Sequence, residues 1–434
     1  MSVRVLTGAV LAAGLIVVPL ASAAQFGRPA EIPLAGTPTA VVVLDATQDG
    51  LDDVVVGNGT TPPLTLLPGA GTGAFDRPVA FGTGAAARAL AVADFDGDGA
   101  DDLAVAGGNQ VTIYLQENAA LVKHASVDVP AAQALLVTDL DVDGNVDLVA
   151  GSSTRATVTV FQGLGDGTFQ PGIDYATRGA AKSLLAADVN GDELPDLVTG
   201  GTGVSVLLGN GDGTLGPAVS ASDTAGISAL TAEDFDDDGD PDLAVARAPN
   251  VVDVLLNDGE GQFSAGTSQH VGGTPVALAV SYVDGDSSFD LVTANRGTND
   301  VSVLLGTGDG GFQQQSRTRA GKGPAALAAG DLNDDGTNDL VVADRTSKAV
   351  TVLLNGADAP QPVVCTVPAV ARKKLAAARR VVAAAHCKVG AVRRKYSARI
   401  RKGKVIAASP LPGTRRPVDT PVTLLVSRGP KPKR

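Results

Sequence analysis

Short apolar runs, separated by stretches rich in glycine and aspartate, recur along most of the chain. In each period one run leads into an aspartate-rich loop, a second run leaves that loop, and a third ends in a glycine-rich hairpin, as at 89–93, 148–150 and 204–208. Runs this short, bounded by Gly and Asp, predict strands that are buried on both faces. The hairpin glycines supply the left-handed conformations that tight turns need.

A fourth, more polar strand completes the period. We expect it to begin at an aromatic residue or a leucine, at Phe75, Phe169, Leu215, Phe263 and Phe312. The aspartate-rich loop recurs seven times, at spacings of 45 to 49 residues, with its first position at Asp45, Asp94, Asp139, Asp188, Asp234, Tyr282 and Asp331. Periods of this length are typical of propeller blades. The pattern therefore predicts an all-β fold, a seven-bladed β-propeller of four-stranded blades.

The two ends of the repeat array complement each other. The seventh repeat lacks its fourth strand, whereas residues 26–34, ahead of the first loop, match the start of one. We therefore expect residues 26–34 to form the outer strand of the seventh blade, which would close the ring and protect its edges. The alternative is an open solenoid with an irregular start.

The second loop shows the chemistry of the repeated motif most clearly. Asp94, Asp96, Asp98 and Asp102 fall at positions 1, 3, 5 and 9, and Gly99 at position 6 can take a positive φ. Oxygen ligands at this density suit a hard cation such as Ca²⁺, which would neutralise carboxylates that otherwise repel one another. An EF-hand is excluded because it needs a bidentate Glu at position 12, where these loops have Val, Ala or Thr. A solvated acidic turn without an ion is the remaining alternative.

The repeats resemble the FG-GAP or VCBS-type propeller repeats of integrin α subunits and of many bacterial exported proteins, in which loops of the form DxDxDGxxD hold Ca²⁺. The similarity covers residues 26 to about 357 and implies side-chain ligands at positions 1, 3, 5 and 9, a main-chain ligand at position 7, and ions with a structural role. Carried onto loops 1 to 7 of this chain, the side-chain ligands are Asp45, Thr47, Asp49 and Asp53; Asp94, Asp96, Asp98 and Asp102; Asp139, Asp141, Asp143 and Asp147; Asp188, Asn190, Asp192 and Asp196; Asp234, Asp236, Asp238 and Asp242; Asp284, Asp286 and Asp290; and Asp331, Asn333, Asp335 and Asp339.

Loops 1 and 6 depart from this pattern, and we expect them to bind more weakly. Loop 1 has Thr47 at position 3, and loop 6 has Tyr282 at position 1 and Ser287 where glycine is expected. Loop 4 has Glu193 at position 6, which should strain the turn without removing a ligand. Loop 2 is expected to be among the strongest sites and loop 6 the weakest.

Charge and the chain ends add further predictions. Residues 25–360 hold 46 acidic against 14 basic residues, whereas residues 361–434 hold 1 against 19, so an acidic body precedes a strongly basic segment. Residues 1–24 combine Arg4, an apolar run too short for a comfortable membrane anchor, and small residues, which is typical of a secretory signal peptide. We therefore expect a secreted or cell-wall-associated monomer without a membrane span. The predicted domains are 1–24 (signal peptide), 25–357 (propeller), 358–362 (linker), 363–430 (C-terminal domain) and 431–434 (basic tail).

In the basic segment at 363–430, four apolar residues at helical spacing predict one helix: Leu375, Ala378, Val382 and Ala385. Strand-like segments follow it, among them residues 403–406 and 422–428. The segment resembles a PASTA domain, in which one helix packs on a small three-stranded sheet, and the resemblance implies a small α+β C-terminal domain. An even number of cysteines in an exported chain favours a disulfide, here between Cys365 and Cys387, which flank the helix. Some PASTA domains bind peptidoglycan fragments, so peptidoglycan or an anionic cell-wall polymer is the implied partner, with a solvated basic face as the plainer interpretation.

The sequence contains no recognisable catalytic constellation. His124, His270 and His386 have no recurring acid or nucleophile beside them, and Tyr396 as the sole aromatic of the basic segment disfavours nucleic acid as a partner. We expect a calcium-stabilised scaffold for adhesion or binding, with an unidentified protein or glycan ligand, rather than an enzyme. The alternative is an extracellular carbohydrate- or lipid-processing enzyme with its site on a propeller face. The first residues to consider for such a site are Tyr114, Glu117, Tyr175 and Arg296.

Overall fold

The computed structural model describes residues 26–82, 84–286, 288–356, 364–385, 387–397, 399–410, 412, 415–417 and 421–431. The predicted signal peptide and linker lie outside these residues. The described chain is almost entirely β, with seven four-stranded sheets followed by a two-stranded sheet, a three-stranded sheet and one helix.

The first four of the seven sheets each contain four strands that are consecutive in the chain and antiparallel. They follow a short first strand, β1 (Ala30–Pro33), which belongs to sheet 7. Sheet 1 contains β2 (Pro38–Leu44), β3 (Asp53–Asn58), β4 (Leu64–Leu67) and β5 (Val79–Phe81). Sheet 2 contains β6 (Ala87–Ala93), β7 (Asp102–Gly107), β8 (Gln110–Glu117) and β9 (Ala120–Asp128). Sheet 3 contains β10 (Ala132–Thr138), β11 (Asp147–Ser152), β12 (Thr157–Phe161) and β13 (Ile173–Ala176), and sheet 4 contains β14 (Ser183–Ala187), β15 (Asp196–Gly200), β16 (Val204–Leu207) and β17 (Val219–Ser222).

Sheets 5 and 6 repeat this order, and sheet 7 combines three late strands with β1. Sheet 5 contains β18 (Ile227–Glu233), β19 (Asp242–Arg247), β20 (Val251–Asn257) and β21 (Phe263–His270). Sheet 6 contains β22 (Pro275–Ser281), β23 (Asp290–Asn295), β24 (Asp300–Leu304) and β25 (Ser316–Arg319). Sheet 7 contains β26 (Pro324–Gly330), β27 (Asp339–Asp344), β28 (Ala349–Leu353) and β1.

The second strand of each sheet explains the short apolar runs of the sequence. It lies between the first and third strands and has neighbouring sheets on both faces, so residues such as Val54, Val55 and Val56 of β3 are completely buried. Burying a valine or leucine side chain stabilises the fold by about 1.5–3 kcal/mol. Because both faces are covered, these strands are apolar without alternation.

The start of the fourth strand differs from the sequence prediction in four sheets. Each predicted starting residue there forms only an isolated bridge to the end of the third strand, as Phe75 does with Gly69. Regular pairing begins four residues later, at Val79 in sheet 1. The same holds for Phe169, Leu215 and Phe312, whereas Phe263 does begin its strand. The aromatic side chain packs between sheets instead, as Phe169 does edge-on against Phe95 at a centroid distance of 5.8 Å.

The N-terminal strand completes the seventh sheet. β1 runs antiparallel to β28, with Ala30 opposite Val352 and Pro33 opposite Ala349, and Phe26 bridges Asn355. The prediction that residues 26–34 supply the outer strand of the seventh blade is therefore confirmed. The first strands of consecutive sheets contact one another in turn, and β26 of sheet 7 contacts β2 of sheet 1.

Each hydrophobic cluster of the repeat region lies between two neighbouring sheets. Sheets 1 and 2 share a cluster around Leu64 and Leu103, and sheets 5 and 6 share one around Phe235 and Leu291. Sheets 7 and 1 are joined in the same way, by a cluster that includes Leu34 of the N-terminal segment. The core is thus divided among the contacts between sheets, which is why a repeat cannot bury its apolar faces alone.

The C-terminal region forms its own small core. It contains β29 (Val364–Thr366), α1 (Leu375–Ala384), β30 (Lys388–Lys395), β31 (Val405–Ser409), β32 (Arg415–Pro417) and β33 (Pro421–Ser427). The strands β30, β33 and β31 make the three-stranded sheet, and β29 pairs with β32. The predicted apolar face of the helix is confirmed, since Ala378 and Val382 are completely buried against the sheet.

Two further predictions, the disulfide and the lack of a membrane span, are tested only on the described residues. There is no free cysteine among them, but the side chain of Cys365 lies outside the described set, so the Cys365–Cys387 disulfide stays a prediction. Within the part of the chain that the structure describes, no helix has both the length and the apolar character to cross a membrane.

Candidate metal centres

The seven aspartate-rich loops project from the same end of their sheets. Each connects the first strand of a sheet to the second, as loop 2 connects β6, which ends at Ala93, to β7, which starts at Asp102. The connection is repeated in every sheet, so loop 1 belongs to sheet 1 and loop 7 to sheet 7.

The aspartate at position 9 is buried and accepts two backbone hydrogen bonds. One oxygen of Asp102 accepts the N–H of Phe95 in its own loop at 2.8 Å, and the other accepts the N–H of Gln116 in β8 at 2.7 Å. The equivalent pair of bonds, one from the loop and one from the end of the third strand, is made by Asp53, Asp147, Asp196, Asp242, Asp290 and Asp339. Position 9 therefore fastens the loop to the third strand, whereas the sequence assigned it only to metal.

Burial raises the pKa of these carboxyl groups. It raises the pKa to about 6 in Asp102, Asp242 and Asp290 and to about 7 in Asp339. Backbone hydrogen bonds oppose the rise, and the neighbouring carboxylates of the same loop add to it. A cation among these carboxylates would favour their ionised forms.

Position 2 of the loop joins neighbouring sheets. The side-chain amide of Gln116 in sheet 2 donates to the carbonyl of Ala46 in loop 1 at 2.6 Å. The N–H of Gly73, in the hairpin of sheet 1, donates to the carbonyl of Leu332 in loop 7 at 2.9 Å. Equivalent bonds connect sheets 3 and 2, 5 and 4, 6 and 5, and 7 and 6. A loop that loses its shape would therefore disturb the contact between two sheets as well as its own sheet.

Positions 4 and 6 of the loops are left-handed wherever the structure describes them. Position 6 has φ between 66° and 98° in all the loops where it is described, including Glu193 at 66°, which agrees with the strain expected there. Position 4 is also left-handed in all seven loops, with φ between 55° and 77°, and the sequence did not reveal this. The turn directs backbone N–H groups at the position 1 carboxylate, as from Gly99 to Asp94 at 2.8 Å.

Val142 at position 4 of loop 3 is the β-branched member of this set, with φ of 57° and a side chain that is 63% exposed. A β-branched side chain is strained in the left-handed region, whereas asparagine tolerates it. We expect Val142→Asn to raise the free energy of unfolding by about 1 kcal/mol, measured by urea denaturation. The matched control is Val219→Asn, which replaces a strand valine that is 61% exposed and should be neutral or slightly destabilising. Equal effects at both positions would contradict the strain at Val142.

Four loops gather three carboxylates around one point. In loops 2, 3 and 5 the oxygens of positions 1, 3 and 9 lie within 4.8 Å of one another, and in loop 6 those of positions 3, 5 and 9 do so. The groups are Asp94, Asp96 and Asp102; Asp139, Asp141 and Asp147; Asp234, Asp236 and Asp242; and Asp284, Asp286 and Asp290. Position 5 of loops 2, 3 and 5 is outside these groups, although the sequence assigned Asp98, Asp143 and Asp238 to the same ligand sets. Loop 6, expected to be the weakest site, nevertheless gathers its three carboxylates.

Three carboxylate oxygens at position 3 support a cation at this point. Oδ1 of Asp141, Oδ1 of Asp236 and Oδ2 of Asp284 are buried and have no hydrogen-bond partner among the described residues. Burial, followed by the charge of the next carboxylate in the loop, raises the pKa of Asp141 and of Asp236. A buried, unpaired carboxylate oxygen is costly, and metal coordination is one of the few ways to satisfy it. The donor sets of loops 3, 5 and 6 therefore fit a hard cation such as Ca²⁺.

Loops 1, 4 and 7 hold a smaller number of close carboxylates. Position 3 is Thr47, Asn190 or Asn333 in these loops, and the amide of Asn190 donates to Asp192 at 3.0 Å. Asp52, at position 8 of loop 1, is an acidic residue that the sequence pattern did not select. Its carboxylate accepts the N–H of Asp331 in loop 7 at 2.8 Å, so it connects these two loops. Burial, with the charges of Asp331 and Asp45 adding to it, raises the pKa of Asp52.

The four residues considered for a catalytic site lie in different places. Tyr114 is buried in sheet 2 against Phe81, and Glu117 is exposed at the adjoining hairpin. Tyr175 belongs to the outer strand of sheet 3, and Arg296 follows β23 in sheet 6. The structure therefore does not bring these four side chains together.

The matches to known families follow the loop repeat. The FG-GAP-like repeat model matches residues 45–105, 139–199, 188–245, 234–286 and 282–342, together more than half of the chain, and each match begins at position 1 of a loop. The PASTA domain model matches residues 366–428. None of the curated proteins is a match for the chain.

Solved structures of similar fold share little sequence with it. BBS1N in complex with ARL6DN, soaked with lead, is 14% identical with a TM-score of 0.57 over 79% of this chain and 100% of that one. The mercury-soaked crystal of that complex is 15% identical, with a TM-score of 0.52 over 77% and 100%. An Agrocybe aegerita lectin described as recognising non-reducing terminal N-acetylglucosamine is 19% identical, with a TM-score of 0.49 over 71% and 86%. Similarity at these identities bears on the fold alone.

Proposed function

This chain belongs to the family of FG-GAP-like repeat proteins and carries a PASTA domain, and from that premise we propose that it is a secreted or cell-surface binding scaffold whose repeat body is stabilised by several Ca²⁺ ions. The proposal includes an adhesive or ligand-presenting role for the body and no catalytic activity. It also includes a contact between the basic C-terminal module and the bacterial cell wall.

The unpaired oxygens of loops 3, 5 and 6 carry the calcium part of this proposal. Each belongs to a group of three carboxylates within 4.8 Å, where like charges repel and burial makes the repulsion stronger. A divalent cation removes this repulsion and satisfies the free oxygen. The loops also form hydrogen bonds to neighbouring sheets, so the ions would stabilise the contacts between sheets. This role is structural rather than catalytic.

The charge of the C-terminal module supports the wall contact. Its edge strand β30 presents Arg393, Arg394 and Lys395, all exposed. No acidic residue occurs among the described residues of the module. Surface charge of one sign attracts polymers of the opposite sign, and the attraction weakens as salt screens it.

A pull-down with purified bacterial cell wall tests the role of this module. The full chain is incubated with insoluble wall before and after extraction of its anionic polymers, in about 50 mM and about 500 mM NaCl. We expect binding that falls at high salt and falls again in the variant Arg393→Gln, Arg394→Gln, Lys395→Gln. The matched control is Arg77→Gln on the repeat body, which is also exposed and should bind like the unmodified protein. Binding that persists after polymer extraction would identify peptidoglycan itself as the partner, and binding that ignores salt and the variant would contradict the contact.

A glycan array with and without Ca²⁺ tests the scaffold role of the body. We expect retention of one glycan class that is lost with chelator, because loss of the ions loosens the sheets that form the binding surface. Release of a modified glycan product during the incubation would instead favour an enzyme.

A further inference from the structure

A cavity at the end of the sheets opposite the aspartate-rich loops collects arginines from three sheets. It has a volume of about 440 Å³ and is lined by Arg88 of sheet 2, Arg296 of sheet 6 and Arg345 of sheet 7, together with Thr39 of sheet 1 and Gln133 of sheet 3. Five of the seven sheets therefore contribute, which places the cavity where the first strands of the sheets converge. Volumes of this size are typical of small-ligand sites.

The backbone directs several of these residues into the cavity. Thr39, Arg88 and Gln133 are each the extra residue of a β-bulge near the start of the first strand in their sheets. Bulges redirect a side chain and are common beside binding sites. Arg296 and Arg345 occupy the corresponding place in the turn after the second strand, one residue after β23 and β27.

Two polar residues that line the cavity, Thr39 and Gln133, form hydrogen bonds to neighbouring sheets. The hydroxyl of Thr39 lies 2.9 Å from the carbonyl oxygen of Gly57 and 2.8 Å from that of Ala87, so its single proton is shared between these two acceptors. The amide of Gln133 donates to the carbonyl of Ala181 at 3.0 Å. Both residues therefore contact a neighbouring sheet. None of the ion pairs found among the described residues involves the three arginines.

The charge of the cavity contrasts with that of the body around it. The repeat region is strongly acidic, yet the lining contains three arginines and no Asp or Glu. Arginine is always charged and presents a planar set of donors that matches the two oxygens of a carboxylate or phosphate. Arg88, Arg296 and Arg345 are exposed residues of one lining, and none of them has an ion-pair partner among the described residues, so an oxyanion in the cavity would supply the missing negative charge.

We propose that this cavity is a binding site for a small oxyanionic ligand, a phosphate monoester or a carboxylate, held by Arg88, Arg296 and Arg345. The site is separate from the calcium loops and from the C-terminal module, so it adds a defined ligand class to the proposed scaffold. A phosphate monoester should bind more tightly than a monocarboxylate because it carries more charge.

Isothermal titration calorimetry with three sugars tests the site in the calcium-loaded full chain. Glucose 6-phosphate, glucuronate and glucose present a phosphate, a carboxylate and neither, on a similar ring, and none is a strong calcium chelator. We expect binding of glucose 6-phosphate, weaker binding of glucuronate and none of glucose. Each of Arg88→Gln, Arg296→Gln and Arg345→Gln should weaken binding by about tenfold, as loss of one charge-assisted hydrogen-bonded contact does, and the triple variant should not bind.

Two controls separate the site from general charge and from misfolding. Arg77→Gln removes an exposed arginine outside the cavity and should leave the affinity unchanged. Replacing the three arginines by lysine keeps the charge and should restore part of the binding that the glutamine variant loses. Equal binding of all three sugars, no binding of either acid, or unchanged affinity in the triple glutamine variant would each overturn the proposal, while leaving the wall and glycan tests of the scaffold unaffected.

Discussion

Removal of Ca²⁺ with EDTA is expected to lower the melting temperature of the full chain by roughly 10 °C or more. A ligand that binds only the folded state adds about 2.7 kcal/mol per site when its free concentration is a hundred times its Kd. Four loops gather carboxylates within 4.8 Å, so several such contributions disappear together. For a chain of this length a change of a few kcal/mol already shifts the melting temperature measurably. Differential scanning calorimetry with EDTA, with excess Ca²⁺ and with Mg²⁺ provides the measurement.

The buried carboxylates at position 9 of the loops set the pH dependence of the metal-free protein. Their pKa is raised in the fold, to about 6 in Asp102 and about 7 in Asp339, mainly by burial. Between their unfolded and folded pKa values the folded chain binds more protons than the unfolded one, so stability decreases as pH rises through this window. We expect the melting temperature in EDTA to fall as the pH rises from about 4 to about 7, the window between the unfolded and the folded pKa values. Bound Ca²⁺ takes the place of these protons, so the effect of EDTA should be larger at pH 8 than at pH 5.

A pair of variants in loop 2 separates metal ligation from the local charge. Asp96→Ala removes a member of the carboxylate group, and Asp101→Ala removes an exposed carboxylate at position 8 of the same loop. In Ca²⁺ the first should lower the melting temperature and the second should not. In EDTA the melting temperatures of the two variants should be nearly equal. Without the ion, Asp96 contributes only charge repulsion and one long hydrogen bond, in which its carboxylate accepts the N–H of Asp98 at 3.2 Å. A melt that ignores both EDTA and added Ca²⁺ would refute the calcium assignment.

Deletion of residues 25–36 is expected to lower the melting temperature sharply as well. The deletion removes β1, leaves β28 as an exposed edge and takes Leu34 and Ile32 from the cluster between sheets 7 and 1. It also removes backbone bonds such as that from the N–H of Gly27 to the carbonyl of Leu354 at 2.8 Å. Burial of two apolar side chains and several hydrogen bonds together amount to about 5 kcal/mol or more. An unpaired edge strand also invites aggregation.

Two substitutions and a peptide separate the effect of losing β1 from the effect of shortening the chain. Ile32→Asp, at the half-buried position of β1, should reproduce much of the loss, whereas Glu31→Ala at the exposed neighbouring position should not. A synthetic peptide of residues 25–36, added to the deletion variant, should recover part of the lost melting temperature, since it can pair with β28. An unchanged melt in the deletion variant would mean that the seventh sheet does not depend on β1.

Much of the site was predictable because its signals are local. The acidic spacing of loop 3 and the glycine at position 6 predict a cation loop from a few neighbouring residues, and the oxygens of Asp139, Asp141 and Asp147 do lie within 4.8 Å of one another. Asp143 of that loop does not join them, because its carboxylate accepts the N–H of Asn145 at 2.7 Å and the amide of the same residue at 2.9 Å. Ligand positions depend on such competing bonds, which a spacing pattern does not contain.

From the sequence alone we predicted the number of sheets, the four strands of each, the loops between their first two strands and an outer strand for the last sheet within residues 26–34, where the structure has β1 at Ala30–Pro33. These follow from burial patterns and turn residues that act over a few positions. Three features became visible only in the folded chain: position 9 bonds to the third strand, position 2 bonds to the next sheet, and Arg88, Arg296 and Arg345 line one cavity. Those residues are brought together by the packing of separate sheets, and contacts between distant parts of a chain leave no periodic signal in its sequence.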